Sequence, residues 1–351
     1  MAEQTASPAV VAAPAARSSF NFAPLVVWPL VAVAVALPFI SNAGGGLISN
    51  FSFLQLSLVI VYSIAVLGLN LLTGFNGQIS LGHGAFFAVG AYVAAILIKH
   101  FDIPYWSVLP VAALACFVVG YLFGLPALRL EGHYLALATF ALAIAVPQFL
   151  KYRHFEAWTF GVQGITLRRV RGPEWTGLNT DQWLYLVVLL IAVLMFWLAR
   201  NLINSRAGRA MMAIRDHHMA ADTMGIDTAR TKAITFGISA LYTGLAGALH
   251  AIIFKFVSPD SFPFPLSISF LVGGVVGGIA SLPGAVIGGA FVQVIEKYAD
   301  ALTKTISQMV HLPIELQPWT IYGIVLIILI YVMPSGIAGG IASLWARLRG
   351  R

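Results

Sequence analysis

The chain has 351 residues, 59% of them hydrophobic and only 9% charged, with a mean hydropathy of +0.88. Water-soluble domains carry about a quarter charged residues, so a soluble globule is excluded. The net charge of +7 gathers at 200–232 and 347–351, the pattern of cytoplasmic membrane-protein loops rather than of a nucleic-acid-binding face, and the single Cys116 leaves no pair for a disulfide or a thiolate metal site.

Residues 1–23, rich in Ala, Pro and Ser at their start, are expected to form a disordered cytoplasmic tail, and no cleavage signal follows them. From Ser18 to Ile98 there is no Asp, Glu, Lys or Arg, and further uncharged runs cover 103–128, 132–150, 182–199, 233–254, 261–295 and 316–346. Each is long enough for one membrane-crossing helix of about 20 residues, or for several. Isolated charges such as Arg129 and Glu131 mark turns between them. The strict alternation over about ten residues that a transmembrane β-barrel requires is missing. The fold class is therefore all-α: a polytopic integral membrane protein of about nine or ten transmembrane helices, with glycine-rich broken or re-entrant segments. The predicted spans are 24–40, 53–72, 78–98, 106–127, 133–149, 183–203, 234–254, 266–280, 283–298 and 318–334.

The stretch LLTGFNGQISLGHGAFFAVGAYVAA (71–95) lies wholly within the longest uncharged run. It nevertheless carries five glycines and places Asn76, Gln78, Ser80 and His83 within eight residues, with Asn70 just upstream. These residues support two readings. They could be neutral polar groups on unwound backbone lining a path, which survives at membrane depth only when buried or facing a cavity. They could equally hydrogen-bond between helices and hold a turn at 73–77.

Two basic segments follow. Segment 150–182 carries Lys151, Arg153, Arg168, Arg169 and Arg171, and segment 204–232 carries Arg206, Arg209, Arg215, Arg230 and Lys232. A single crossing at 183–203 puts them on opposite sides. The basic tail at Arg347, Arg349 and Arg351 favours an inside C-terminus. Counting crossings backwards then makes 204–232 and both termini cytoplasmic and 150–182 periplasmic. This requires 261–295 to cross twice or not at all. Its two arms, separated by SLPG (281–284), are about 15 residues or ~22 Å each, short for a span of about 30 Å. Glycines four apart at Gly273/Gly277, Gly274/Gly278 and Gly284/Gly288, like Ala240/Gly244/Ala248 earlier, have the spacing that lets helix backbones approach. The same stretch also has the character of half-helices around a path.

Several chemistries lack their parts. No Gly-Lys pair occurs, so the phosphate cradle of NTPases is absent. His217 and His218 are adjacent and diverge on a helix, so no metal site is expected there. Ser239 and His250 share a run but lie about 16 Å apart along a helix, against the ~3 Å a nucleophile and its base need. No catalytic residue and no cofactor is expected. The spans hold no acid or base away from their ends, which weakens ion coupling and leaves a passive channel in contention. Against a channel stands SRAGRAMMAIRDHHMAADTMGIDTARTK (205–232), a basic amphipathic stretch. Met211, Ile214, Ala221 and Met224 form its apolar stripe, with Arg209, Arg215 and Asp216 off it. Such a helix either rests on lipid headgroups or is presented to a cytoplasmic partner.

GLNLLTGFNGQISLGHGAFFAVGAYVAA (68–95), LRLEGHYLALATFALA (128–143), the stretch 206–251 and SISFLVGGVVGGIASLPGAVIGGAFVQVI (267–295) resemble the permeases of branched-chain amino-acid ABC importers, within that group the LivM-type subunit. The resemblance covers roughly residues 50 to 335. It implies a bacterial inner-membrane heterodimer with a second, homologous permease. It also implies two cytoplasmic ATPase subunits and a periplasmic binding protein that delivers substrate. MAADTMG (219–225) resembles the loop by which such permeases dock on their ATPases: Ala220, Ala221 and Gly225 match, while Met219 stands where the family has glutamate. The coupling candidates are thus Arg209, Arg215, Asp216, Ala220, Ala221 and Gly225, and the substrate-path candidates are Asn70, Asn76, Gln78, Ser80 and His83. Importers of urea or short amides have similar permeases and are the alternative within the class.

Overall fold

The computed structural model describes residues 24–43, 49–127, 130, 132–168, 172–173, 176–310 and 336–348, with isolated positions at 323, 327 and 331. Its helices are α1 (Pro24–Ala43), α2 (Asn50–Asn70), α3 (His83–Phe101), α4 (Tyr105–Ala127), α5 (His133–Leu150), the single turn α6 (Glu156–Thr159) and α7 (Thr180–Asn204). They continue with α8 (Arg206–Asp216), α9 (His218–Thr223), α10 (Thr228–Phe254), α11 (Phe264–Gly277), α12 (Leu282–Val310) and α13 (Gly336–Leu348). Among the described residues seven helical stretches are long and apolar enough to cross a membrane: Asn50–Phe75, His83–Phe101, Tyr105–Pro126, His133–Leu150, Thr180–Asn204, Thr228–Phe254 and Pro259–Gly277. Shorter apolar helix occupies Val31–Ser41 and Leu282–Ile295, and the predicted span 318–334 lies outside the described residues apart from isolated positions. The chain is an all-α polytopic membrane protein.

Helices α2, α3 and α10 form the centre. Every residue of α2 from Val61 to Asn70 is buried, and α10 packs on α2, α3 and α4. Small residues allow these backbones to meet, since lipid supplies no hydrophobic drive between helices and close van der Waals packing must substitute. A side chain at Gly90 of α3 would strike the backbone of Gly244 in α10, and one at Gly247 would strike that of Phe87. Gly120 of α4 sits against Ala240. The outer helices turn large apolar side chains outward, among them Leu114 and Leu122 on α4, Leu137 on α5, and Leu190 and Trp197 on α7. A soluble monomer does not expose apolar surface on this scale, whereas a bilayer covers it.

Two expectations need correction. The span read as 78–98 begins only at His83, because residues 77–82 are not helical: Gly77 has φ +75° and Gly82 precedes the first turn. The second arm after SLPG does not stop near 298 either. Helix α12 is 29 residues long, about 43 Å. The predicted span ended at 298, but helix continues unbroken to Val310. Lys297 lies over the ring of Phe51, 5.1 Å from its centre, at the start of α2.

The bundle has two distinct ends. At one, segment 150–180 ties helix ends together: His100 bonds the carbonyl of Trp158 at 3.1 Å, Lys151 pairs with Asp260, and β1 (Ile165–Thr166) pairs antiparallel with β2 (Phe256–Val257) just after α10. At the other lie α8, α9, the end of α2 and the break between α11 and α12.

Candidate functional site

The second end gathers three interruptions of helix. Helix α2 does not simply stop: Leu71–Phe75 continues it as a π-helical turn. Wide turns of this kind are uncommon and recur at functional sites. The chain then folds back on itself, with Gln78 N–H donating to the Leu72 carbonyl at 3.2 Å and the Thr73 hydroxyl donating to the Gln78 carbonyl at 3.0 Å. Beside this turn, α11 ends at Gly278 (φ +123°), and Ala280 takes a positive φ of 58° before α12 begins.

Asn70 stitches the two breaks together. Its Oδ1 accepts the Ala280 N–H at 2.7 Å and its Nδ2 donates to the Ser281 carbonyl at 2.9 Å. The residue is 3% exposed, so both ends of its amide are spent inside the protomer. His83 has a similar role one turn on. Its ring lies between Ser80 (Nδ1 to Oγ, 3.0 Å) and Ser239 of α10 (Nε2 to Oγ, 2.6 Å), and the Ser239 hydroxyl donates to the Gly68 carbonyl at 2.6 Å. Ser239 is therefore partnered with His83, a residue its own helix does not contain, and its proton faces a carbonyl rather than a base. The Thr139 hydroxyl of α5 and the Ser267 hydroxyl of α11 accept the Leu81 and Gly84 N–H groups, both at 2.9 Å. Three helices, α5, α10 and α11, thus hold the end of the unwound segment and the first turn of α3.

Asn76 and Gln78 differ from the other three candidates. Asn76 Nδ2 donates to Gln78 Oε1 at 2.8 Å, but Asn76 Oδ1 is buried with no partner. Whichever way the amide is turned, one of its polar atoms stays unused, and a buried unpaired polar atom is costly to keep. Gln78, at 8% exposed, is the least buried of the five.

Segment 205–232 is not the single lever expected. Ser205 caps α8 by accepting the Gly208 N–H at 3.3 Å, but the helix breaks at His217 (φ −162°, ψ 98°), which caps α9 in turn. Helix α9 ends in a Schellman motif. Gly225 N–H bonds the Asp222 carbonyl (3.0 Å), Ile226 N–H bonds the Ala221 carbonyl (3.1 Å), and Gly225 takes φ +79°. Met211, Ile214 and Ala221 of the expected apolar stripe are buried, but Met224 is 83% exposed and Met219 is 63% exposed. The break at His217 re-aims α9, so the stripe does not run through. Ala221, at 3% exposed, faces the chain's own fold, and the outward face carries Met219, Ala220 and Met224.

Arg209 is exposed and bonds the Asn204 carbonyl at 3.3 Å, and Asp216 is exposed beside Arg215. Arg215 turns inward: its Nη1 donates to the Gly74 carbonyl at 3.0 Å, in the π turn. Of the glycine set, Gly273 and Gly277 face Gly288 and Gly284 across the α11–α12 hairpin at backbone contact. Gly278 ends α11, and the nearest atom to a side chain at Gly274 would be Val66 Cγ1 at 4.0 Å.

Residues 52–333 match the family described as branched-chain amino acid transport system / permease component. The chain is 35% identical over 275 residues to the high-affinity branched-chain amino acid transport system permease protein LivM of Escherichia coli (strain K12), covering 72% of this chain and 63% of that protein. It is 24% identical over 294 residues to the corresponding protein LivH of Salmonella typhimurium, with 79% of this chain and 91% of that protein covered. To the permease protein BraD of Pseudomonas aeruginosa it is 26% identical over 292 residues, with the same coverage. The chain thus spans just under two thirds of the length of the LivM protein it matches, and no solved structure matches it. The chain belongs to the family of permease components of branched-chain amino acid transport systems.

Proposed function

We propose that the chain is the transmembrane permease subunit of an ATP-driven importer for branched-chain or similarly apolar amino acids, with no catalytic role of its own. It works in the bacterial inner membrane beside a second, related permease. Two separate cytoplasmic subunits hydrolyse ATP, and a periplasmic binding protein delivers the substrate. Segments 1–23, 205–232 and 341–351 face the cytoplasm, and 150–182 faces the periplasm. The reading draws on the family and on its similarity to both LivM and LivH, two permease proteins of branched-chain systems.

The observation that carries it is the exposed pair Met219 and Met224 on α9 and its cap, at the end of the bundle where the helices break. Flexible methionines suit a surface that must seat in a partner's cleft. Asn76 and Gln78, the polar pair with unused capacity, meet the substrate as it passes. Asn70, Ser80 and His83 hold the unwound segment in shape beside it.

Co-purification tests the reading. Extracted in mild detergent, the chain is expected to bring down a second permease and two ATPase subunits, whereas a passive channel would come out alone or as a homo-oligomer. Met224→Glu buries an unpaired carboxylate at the proposed junction, a change that costs several kcal/mol. At about 1.4 kcal/mol per factor of ten, that weakens ATPase association about a hundredfold, while insertion and permease pairing survive. Full ATPase retention and uptake by this variant would reduce 205–225 to a helix pair lying on headgroups.

A further inference from the structure

We infer that Arg215 acts within the permease, as the positioning residue that hands movement of the docking helices to the broken ends of α2 and α11, and not as a contact to the ATPase. This rests on the docking reading above and assigns a mechanism to it. Three observations carry the inference.

The Arg215 guanidinium is already committed. Its Nε and Nη2 hold Asp216 Oδ1 at 2.9 and 2.8 Å, which fixes the plane of the fork, and Nη1 is then aimed at the Gly74 carbonyl at 3.0 Å. The side chain is only 27% exposed. That carbonyl lies at the end of helix, where the last carbonyls lack intrahelical partners. A charged donor there makes one of the stronger hydrogen bonds available.

The stem of Arg215 also lies alongside the unwound segment. A Cβ on Gly77 would lie 3.0 Å from Arg215 Cγ and 3.3 Å from its Cα, and Gly77 has φ +75°. The joint is therefore close-packed as well as polar: no side chain fits between α8 and the turn at Gly77, and the Gly74 bond ties α8 to the end of α2.

The linkage continues past the π turn. A side chain at Gly74 would overlap Asn70 Oδ1 and come within 2.5 Å of the Ala280 nitrogen. Asn70 itself holds Ala280 and Ser281. Docking helix, π turn, and α11–α12 break are thus three bodies joined by short bonds in series. The π turn, with its extra residue, is the member that can change length by relaxing to α-helix. A contiguous chain of bonds is a physical route for coupling only if breaking a link uncouples the ends.

The test uses the complete importer, with its second permease, both ATPase subunits and the loaded binding protein, reconstituted in vesicles. Arg215→Gln, which loses the charged fork, is expected to keep its ATPases on purification. Its stimulation of ATP hydrolysis by the loaded binding protein should fall about tenfold, with uptake falling in step. Arg215→Lys restores a donor for Gly74 without the planar grip on Asp216, and should recover part of the stimulation. It carries the same test should the glutamine variant fail to accumulate. Unchanged stimulation in either variant overturns the inference. Release of the ATPases by Arg215→Gln overturns it too, by making Arg215 a contact residue. A wild-type chain that never holds ATPases sinks the docking reading instead.

Discussion

His83 lies between two serine hydroxyls, and one fixed acceptor determines the direction of every bond around it. Ser239 donates to the Gly68 carbonyl, so it must accept from His83 Nε2–H, and in a neutral imidazole Nδ1 then accepts from Ser80. Both ring nitrogens are thus used. His83→Leu removes one partner from each of two buried hydroxyls, at up to about 1–3 kcal/mol each. Membrane abundance and thermal midpoint are expected to fall together with uptake. Asn76→Leu removes an amide that is only half-satisfied, so abundance should hold while uptake drops severalfold. Equal loss of both for Asn76→Leu would make it a turn-forming residue only. The sequence identified this polar cluster but not its partners. Ser239 invited comparison with His250 in its own run, yet its partner is 156 positions away, a separation that periodicity along one helix does not report. Arg215 is the same case: an arginine off the apolar stripe looks solvent-facing until the turn at Gly74 is folded against it.

At the scale of the element, the motif GGVVGG shows what spacing encodes and what it omits. Glycines four apart do mark the contact stripe, but only one of the two interleaved stripes faces α12. A Cβ at Gly277 would overlap the Gly284 carbonyl, whereas one at Gly274 meets nothing nearer than 4.0 Å. Gly277→Ala must force α11 and α12 apart, at a cost on the order of 1–3 kcal/mol. Gly274→Ala should be neutral or slightly stabilising, since Ala is the better helix former by about 1 kcal/mol. Thermal unfolding in detergent separates them, and equal midpoints would show that the hairpin is not glycine-packed. Helix ends are legible where backbone chemistry is local, as at Gly225, whose φ of +79° and Schellman bonds follow from a glycine after a short helix. Gly225→Val is expected to cost about 1–2 kcal/mol through backbone strain alone, because nothing lies within 4 Å of the added carbon. The break at His217 carries no such signal: neither glycine nor proline marks it, and an unbroken helix was the natural expectation. The extent of α12 was missed for a different reason: a helix longer than one span runs on past the apolar stretch that defined the prediction.

Orientation is a property of the whole molecule, and the fold reduces it to one measurement. The two ends of the bundle are fixed relative to each other: 150–180 is tied by His100, Lys151 and β1 to the far ends of α3, α5 and α10, while α8 is tied by Arg215 to the near end of α2. Labelling at either end therefore fixes the other. Accessible reporters are needed, and the bonding decides which residues qualify. Ile165 is unsuitable because it is 1% exposed and paired with Val257, whereas Val162 nearby is 65% exposed. Met224, 83% exposed, serves at the opposite end. The native Cys116 is fully buried and should give no background, so it need not be replaced. The proposed orientation, read from the arginines at 204–232 and in the C-terminal tail, puts α8 and α9 in the cytoplasm. In intact spheroplasts Val162→Cys should react with a membrane-impermeant maleimide, and Met224→Cys should react only after the membrane is opened. The reverse pattern would put α9 in the periplasm, out of reach of any ATPase. Since α8 is bonded to the π turn, it would also invert the ends of α2 and α3 with it, and the proposed docking surface and substrate path would fail together.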